Sequence, residues 1–175
     1  MIPPTRGRGR HEKEPTRELG ARDHEDLLAS AEARGSWRHA AAAAAGFGRE
    51  IDEDTRRKLS PAAIRACCKI AETWQLDAKE VALLLAMTLD DYEHALATSN
   101  FVVLEPAQFH RAGLLISIFG VLGRLFDQRL ADEWPRRPNS GNLFGGRSAV
   151  EVMKAGGVES MKEVLRHLYA VALGL

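Results

Sequence analysis

The run EPAQFHRAGLLISIFGVLGRLF, residues 105–126, decides how the chain folds. Glu105-Pro106 sets proline in a first helical turn, where its missing N–H costs nothing. Phe109, Ala112, Ile116, Phe119, Gly123 and Phe126 then recur every three or four residues, and Leu130 continues the series. That spacing is one face of a helix. Leu115, Ile118, Leu122 and Leu125 widen the face until most of the girth is apolar, which belongs at the centre of a bundle. Gly113, Gly120 and Gly123 each weaken a helix by up to ~1 kcal/mol relative to alanine, a cost offset where another helix packs closely. The apolar stretch Ala112–Gly123, bounded by Arg111 and Arg124, is shorter than the roughly 17–25 residues of a bilayer span, so a soluble protein is expected. Trp134-Pro135 is expected to end this helix, with a loop at Arg137–Gly141.

Upstream the pattern is also helical. Ser60-Pro61 reads as an N-cap and first-turn proline, followed by Ile64, Cys67/Cys68, Ala71 and Trp74 at helical spacing. Asp77 with Glu80 forms a capping box ahead of Val81, Leu84 and Leu85, and that helix ends near Ala86-Met87. Thr88 with Asp91 opens a third helix, its buried face drawn from Leu89, Tyr92 and Leu96. Downstream, Ser148 with Glu151 caps a short helix that Gly156-Gly157 stops, and a last helix carries Met161, Val164/Leu165, Leu168 and Val171/Ala172. No alternation of period two appears. The predicted class is all-α: a helical bundle with a helix-turn-helix-like part at 58–100 and a second helical domain at 104–175.

The first 50 residues read differently. Pro3, Pro4, Gly7, Gly9 and Pro15 interleave with Arg6, Arg8, Arg10, Lys13 and Arg17, a composition expected to form a flexible arm. Asp23–Arg34 and Ser36–Ala45 are alanine-rich enough for two loosely attached helices. In a chain of 175 residues with 24 basic and 24 acidic side chains, one core domain plus this tail is the expected organisation, and a general polyanion-coating role is not. The opening residues lack the apolar run of a signal peptide. Cys67 and Cys68 are adjacent and cannot staple a loop, which favours a reducing cytoplasm.

Little catalytic chemistry is on offer. The two cysteines lack zinc-ligand spacing, and His11, His24, His39, His94, His110 and His167 are scattered. Glu163 and His167, at i,i+4, read as a surface pair. No hydrolase signature occurs, so neither an enzyme, a metal nor a cofactor is expected. Gly141–Ser148 is the most distinctive segment. It reads either as a tight turn that needs positive φ or as a ligand or partner loop at a helix N-terminus. The turn at Ala86-Met87-Thr88 has helix-turn-helix proportions. Yet the third helix, Leu89-Asp90-Asp91-Tyr92-Glu93-His94, is acidic where DNA readers are basic or amidic. Residues 61–100 hold three basic against six acidic side chains. Arg6, Arg8 and Arg10 are therefore the candidate phosphate contacts.

In order along the chain come a helix-turn-helix-like part, a long apolar helix, Trp134, Pro138-Asn139, Phe144-Gly145-Gly146-Arg147-Ser148, Met153 and Gly156-Gly157. This series resembles the Xre/MbcA/ParS family of bacterial antitoxins over about residues 58–172. Ala149 stands where the family often has proline. The resemblance implies an antitoxin whose C-terminal part binds a RES-domain toxin, one that consumes NAD or transfers ADP-ribose from it, and covers its active site. It also implies self-association, commonly as a homodimer inside a larger complex, and repression of the operon. The toxin-binding candidates are Trp134, Pro138, Asn139, Phe144, Gly145, Gly146, Arg147 and Ser148. Phe144 is expected to be an apolar anchor and the loop an inhibitory wedge, with Trp134 locking the long helix. The apolar end, with Leu173 and Leu175, either enters the same cleft or packs on its own bundle. The alternative function is a DNA-binding regulator whose C-terminal domain only dimerises.

Overall fold

A computed structural model describes residues 51–98 and 101–174. Among them are six α-helices and one 3-10 turn, and no strand: α1 Glu53–Trp74, α2 Ala78–Leu85, α3 Leu89–Ala97, α4 Pro106–Leu125, α5 Gln128–Glu133, the 3-10 turn Trp134–Arg136, and α6 Ala149–Leu173. The protein is all-α there. No helix of the described residues is long and apolar enough to cross a membrane. The arm with Arg6, Arg8 and Arg10, the two alanine-rich helices expected at 23–45, and Leu175 lie outside the described residues.

The 105–126 run forms the central helix. Phe109, Ala112, Leu115, Ile116, Ile118 and Leu122 are buried as expected, and so are Leu114 and Val121 on the remaining side. α1 and α6 both pack against α4, with α2 and α5 at its flanks. The segments expected at 58–100 and 104–175 thus share one hydrophobic core. Gly123 is exposed, with open space where a Cβ would stand, so no close helix packing explains it.

Two boundaries differ from the sequence reading. α1 is capped by Asp52, whose carboxylate accepts the Thr55 N–H at 2.8 Å, and Ser60-Pro61 lies inside the helix. Ser60 is fully buried and has another task. Its hydroxyl donates to the Arg56 carbonyl at 2.7 Å and accepts the Leu104 N–H at 3.0 Å. Arg56 in turn donates to the Leu104 carbonyl. The chain entering α4 is thereby pinned to α1, and this tertiary bond keeps the serine in the helix. The second difference is at the far end of α4, which stops at Leu125 rather than Trp134. Phe126 is extended, and Asp127 accepts the Leu130 N–H at 2.9 Å to start α5. The caps at Asp77, Thr88 and Ser148 stand as predicted. So does the break at Gly156-Gly157: α6 turns at Gly157, with φ 60° and ψ −141°.

Candidate partner-binding loop

Residues 137–148 form a closed loop between the 3-10 turn and α6. Asn139 is its clasp. Its N–H donates to the Arg147 carbonyl at 3.1 Å, and its carbonyl accepts the Gly146 N–H at 2.9 Å. Its side-chain oxygen also accepts the Gly141 N–H at 2.9 Å, a small turn of the kind asparagine forms readily. Inside the ring, the Phe144 and Gly145 N–H groups both donate to the Gly141 carbonyl, and the Arg147 N–H donates to that of Phe144. Gly145 and Gly146 sit at φ +56° and +84°, and a Cβ on either would meet nothing within 4 Å. Their glycines answer to the left-handed backbone, not to a crowded neighbour.

Phe144 does not face outward. Its side chain is fully buried, set edge-on to Trp134 at 5.7 Å and to His167 at 5.2 Å between ring centroids. This corrects the expectation of an exposed apolar anchor: an aromatic beside two glycines here secures the loop to the bundle from within. His167 faces Phe144 rather than pairing with Glu163, whose neighbouring cation is Arg166 at 4.0 Å. Trp134 is half-buried and belongs to the 3-10 turn, so it holds the loop rather than the end of α4. Ser148 is buried and caps α6 in a reciprocal box with Glu151. The N–H and hydroxyl of Ser148 hold the Glu151 carboxyl below its ordinary range.

Of the toxin-binding candidates in the loop, Pro138, Gly145, Gly146 and Arg147 are exposed, with Arg137, Ser140 and Asn142 exposed beside them. Arg136 reaches back to the end of α1 while staying partly exposed, and Arg137 pairs with Glu133. Arg147 makes no ion pair among the described residues; its Nε lies 3.4 Å from the Phe144 carbonyl. The loop therefore presents two glycine backbones, the polar Ser140 and Asn142, and Arg147 as a cation with no ion pair among the described residues. Leu173, 73% exposed, stands six residues beyond His167. On a helix that is a rotation of about 240°, so the structure does not bring Leu173 to the loop face; Val171, four residues beyond His167, shares it.

Sequence reasoning missed one group that supports this loop. Glu80 accepts from Lys154 at 2.7 Å and from the Asp77 N–H at 3.2 Å, and pairs with Arg136. Burial pushes its carboxyl up, but the hydrogen bonds from Lys154, Arg136 and Asp77 outweigh burial and hold it below its ordinary 4.5. A lowered folded value contributes stability above the unfolded one and loses it as pH falls through the folded one. The unfolding midpoint is therefore expected to fall below about pH 4.5, and Glu80→Gln to make that fall shallower. Thermal melts across a pH series check this; an unchanged slope counts against it.

Burial pushes the Cys67 thiol up to about 12 and raises that of the half-buried Cys68 as well, which disfavours the thiolate form at both. The chain matches no family model, no curated protein and no solved structure.

Proposed function

We propose that this chain is an antitoxin that binds a RES-domain toxin in the cytoplasm and occludes its active site, acting as a stoichiometric partner rather than an enzyme. One observation supports this above others. The residues that carry the resemblance, Trp134, Asn139, Phe144, Gly145, Gly146 and Ser148, act on a single loop, as its clasp, its buried anchor, its turn and its exit cap. The loop's exposed face includes the Gly145-Gly146 backbone and Arg147, with Ser140 and Asn142. A narrow glycine backbone can approach the floor of a cleft closely, and Arg147 suits a carboxylate there rather than the donor-lined subsite of a pyrophosphate. Phe101, 87% exposed, and Val103 beside it offer apolar surface for self-association.

The exposed side of α3 carries Asp90, Asp91, Glu93 and His94. Three carboxylates there oppose a phosphate backbone, so operator binding and autorepression fall to the basic arm. This favours the antitoxin reading over a DNA regulator. The test is titration of a purified RES-domain toxin with this chain, following NAD turnover. Arg147→Glu is expected to weaken inhibition by about 30-fold with unchanged circular dichroism, since reversal of a central anchor commonly costs 2 kcal/mol or more. Inhibition equal to the parent's moves the contact elsewhere.

A further inference from the structure

Arg136 is the last residue of the 3-10 turn and the immediate stem of the loop. Its guanidinium leaves the loop and reaches back across the molecule. Nε donates to the Trp74 carbonyl at 2.8 Å, and NH2 donates to the Gln75 carbonyl and to Glu80. Both carbonyls lie at the C-terminal end of α1, whose last turn has no basic residue of its own. Those groups are left without partners by the helix and need a donor from outside. Here the donor comes from 61 and 62 residues downstream. Glu80, on α2, is shared with Lys154 of α6. The charged and titratable groups around its carboxylate are thus Arg136 from the turn, Lys154 from α6 and, on its own helix, the N-cap Asp77.

Both ends of this bridge are fixed in the core. Trp74 is 1% exposed, and its ring lies 6.1 Å from that of Phe119 on α4. On the loop side, Pro135 is buried, and Trp134 meets Phe144, the loop's own anchor. A short 3-10 turn leaves little freedom between Trp134 and Arg136, so a displacement of one is passed to the other. The planar fork of arginine can serve two carbonyls and a carboxylate together, which a lysine ammonium on one flexible stem does less well.

We infer that Arg136 is a positioning residue that couples the α1–α2 corner to the 139–147 loop, so that what loosens either one loosens the other. The inference concerns the free chain and stands whatever partner the loop meets. Coupling of this kind is reciprocal, and the test uses both directions. Amide hydrogen exchange is measured on the full chain by NMR. In Arg136→Lys and Glu80→Gln, the Asn139, Gly146 and Arg147 amides, which close the loop, are expected to exchange about tenfold faster, the scale of one lost charge-assisted hydrogen bond. The α4 amides at 115–118 report global opening and are expected to change less. In the reverse direction, Asn139→Gly loosens the clasp and is expected to speed exchange at Gln75 and Leu76, whose N–H groups close the end of α1. Loop amides that do not respond to Arg136→Lys and Glu80→Gln overturn the coupling. So does acceleration of the α4 amides by the same factor, since that is lost global stability alone. A response in the forward direction with none at Gln75 and Leu76 also overturns it.

Discussion

Phe144→Ala is expected to lower the thermal unfolding midpoint by roughly 10 °C or more, an effect of about 3–5 kcal/mol for a fully buried phenylalanine. The ring fills the space between Trp134 and His167, and aromatic pairs add to simple area burial. The main-chain bonds that Phe144 makes to Gly141 and Arg147 survive the change, so the loss is one of packing. Phe144→Leu keeps most of the volume and is expected to cost about 1–1.5 kcal/mol. Calorimetry of the two variants checks the ratio; a midpoint for Phe144→Ala within about 2 °C of the parent shows that the ring is not an anchor. The result also bears on binding. Failure of Phe144→Ala to inhibit a toxin reports a collapsed loop, whereas failure of Arg147→Glu reports a lost contact. Gly146→Arg falls in the first class too. At φ +84° any side chain is strained, although the space beyond it is open.

Most of the helix order was legible because caps are local. Asp77 with Glu80, Thr88 with Asp91 and Ser148 with Glu151 each close their bonds within four residues. Long-range contacts hid the rest. Ser60-Pro61 has the signature of a helix start, and only the Leu104 N–H, 44 residues away, reveals why the serine sits mid-helix. α1 and α2 end at Gln75 and Ala86, both left-handed without the usual glycine, and these ends were legible from the caps Asp77 and Thr88 that follow them. The class of the candidate loop was open on residue types alone, and its glycines are required by the turn. The direction of Phe144 was beyond reach for a similar reason: inward and outward aromatics beside glycines have the same local sequence. The choice is made by Trp134 and His167, ten residues before it and 23 after. Glu80 was read as a cap, which it is, but its bonds to Arg136 and Lys154 span 56 and 74 residues.

Gly157→Ala is expected to destabilise the chain by about 2–3 kcal/mol, the largest effect of any glycine substitution proposed here. Its backbone, φ 60° and ψ −141°, is a region that side chains rarely enter, at a cost of about 1–3 kcal/mol. A Cβ there also stands 3.2 Å from an Arg111 guanidinium nitrogen. The other terminal nitrogen of that guanidinium donates to the Leu84 carbonyl at 3.2 Å near the end of α2, so the methyl group asks a side chain that joins α4 to α2 to give by a few tenths of an ångström. Gly156→Ala makes a different demand. Its Cβ falls 1.9 Å from the Ser160 hydroxyl and 2.8 Å from the Ser160 Cβ, and turning the hydroxyl away relieves only the first contact. The double change Gly156→Ala with Ser160→Ala removes the hydroxyl and is expected to recover part of the loss; no truncation recovers Gly157→Ala, because its strain lies in the backbone. Urea unfolding of the three variants separates these causes. A Gly157→Ala chain as stable as the parent would mean that α6 straightens through residue 157 without cost, and that the turn is not needed to bring the second half of α6 onto α4.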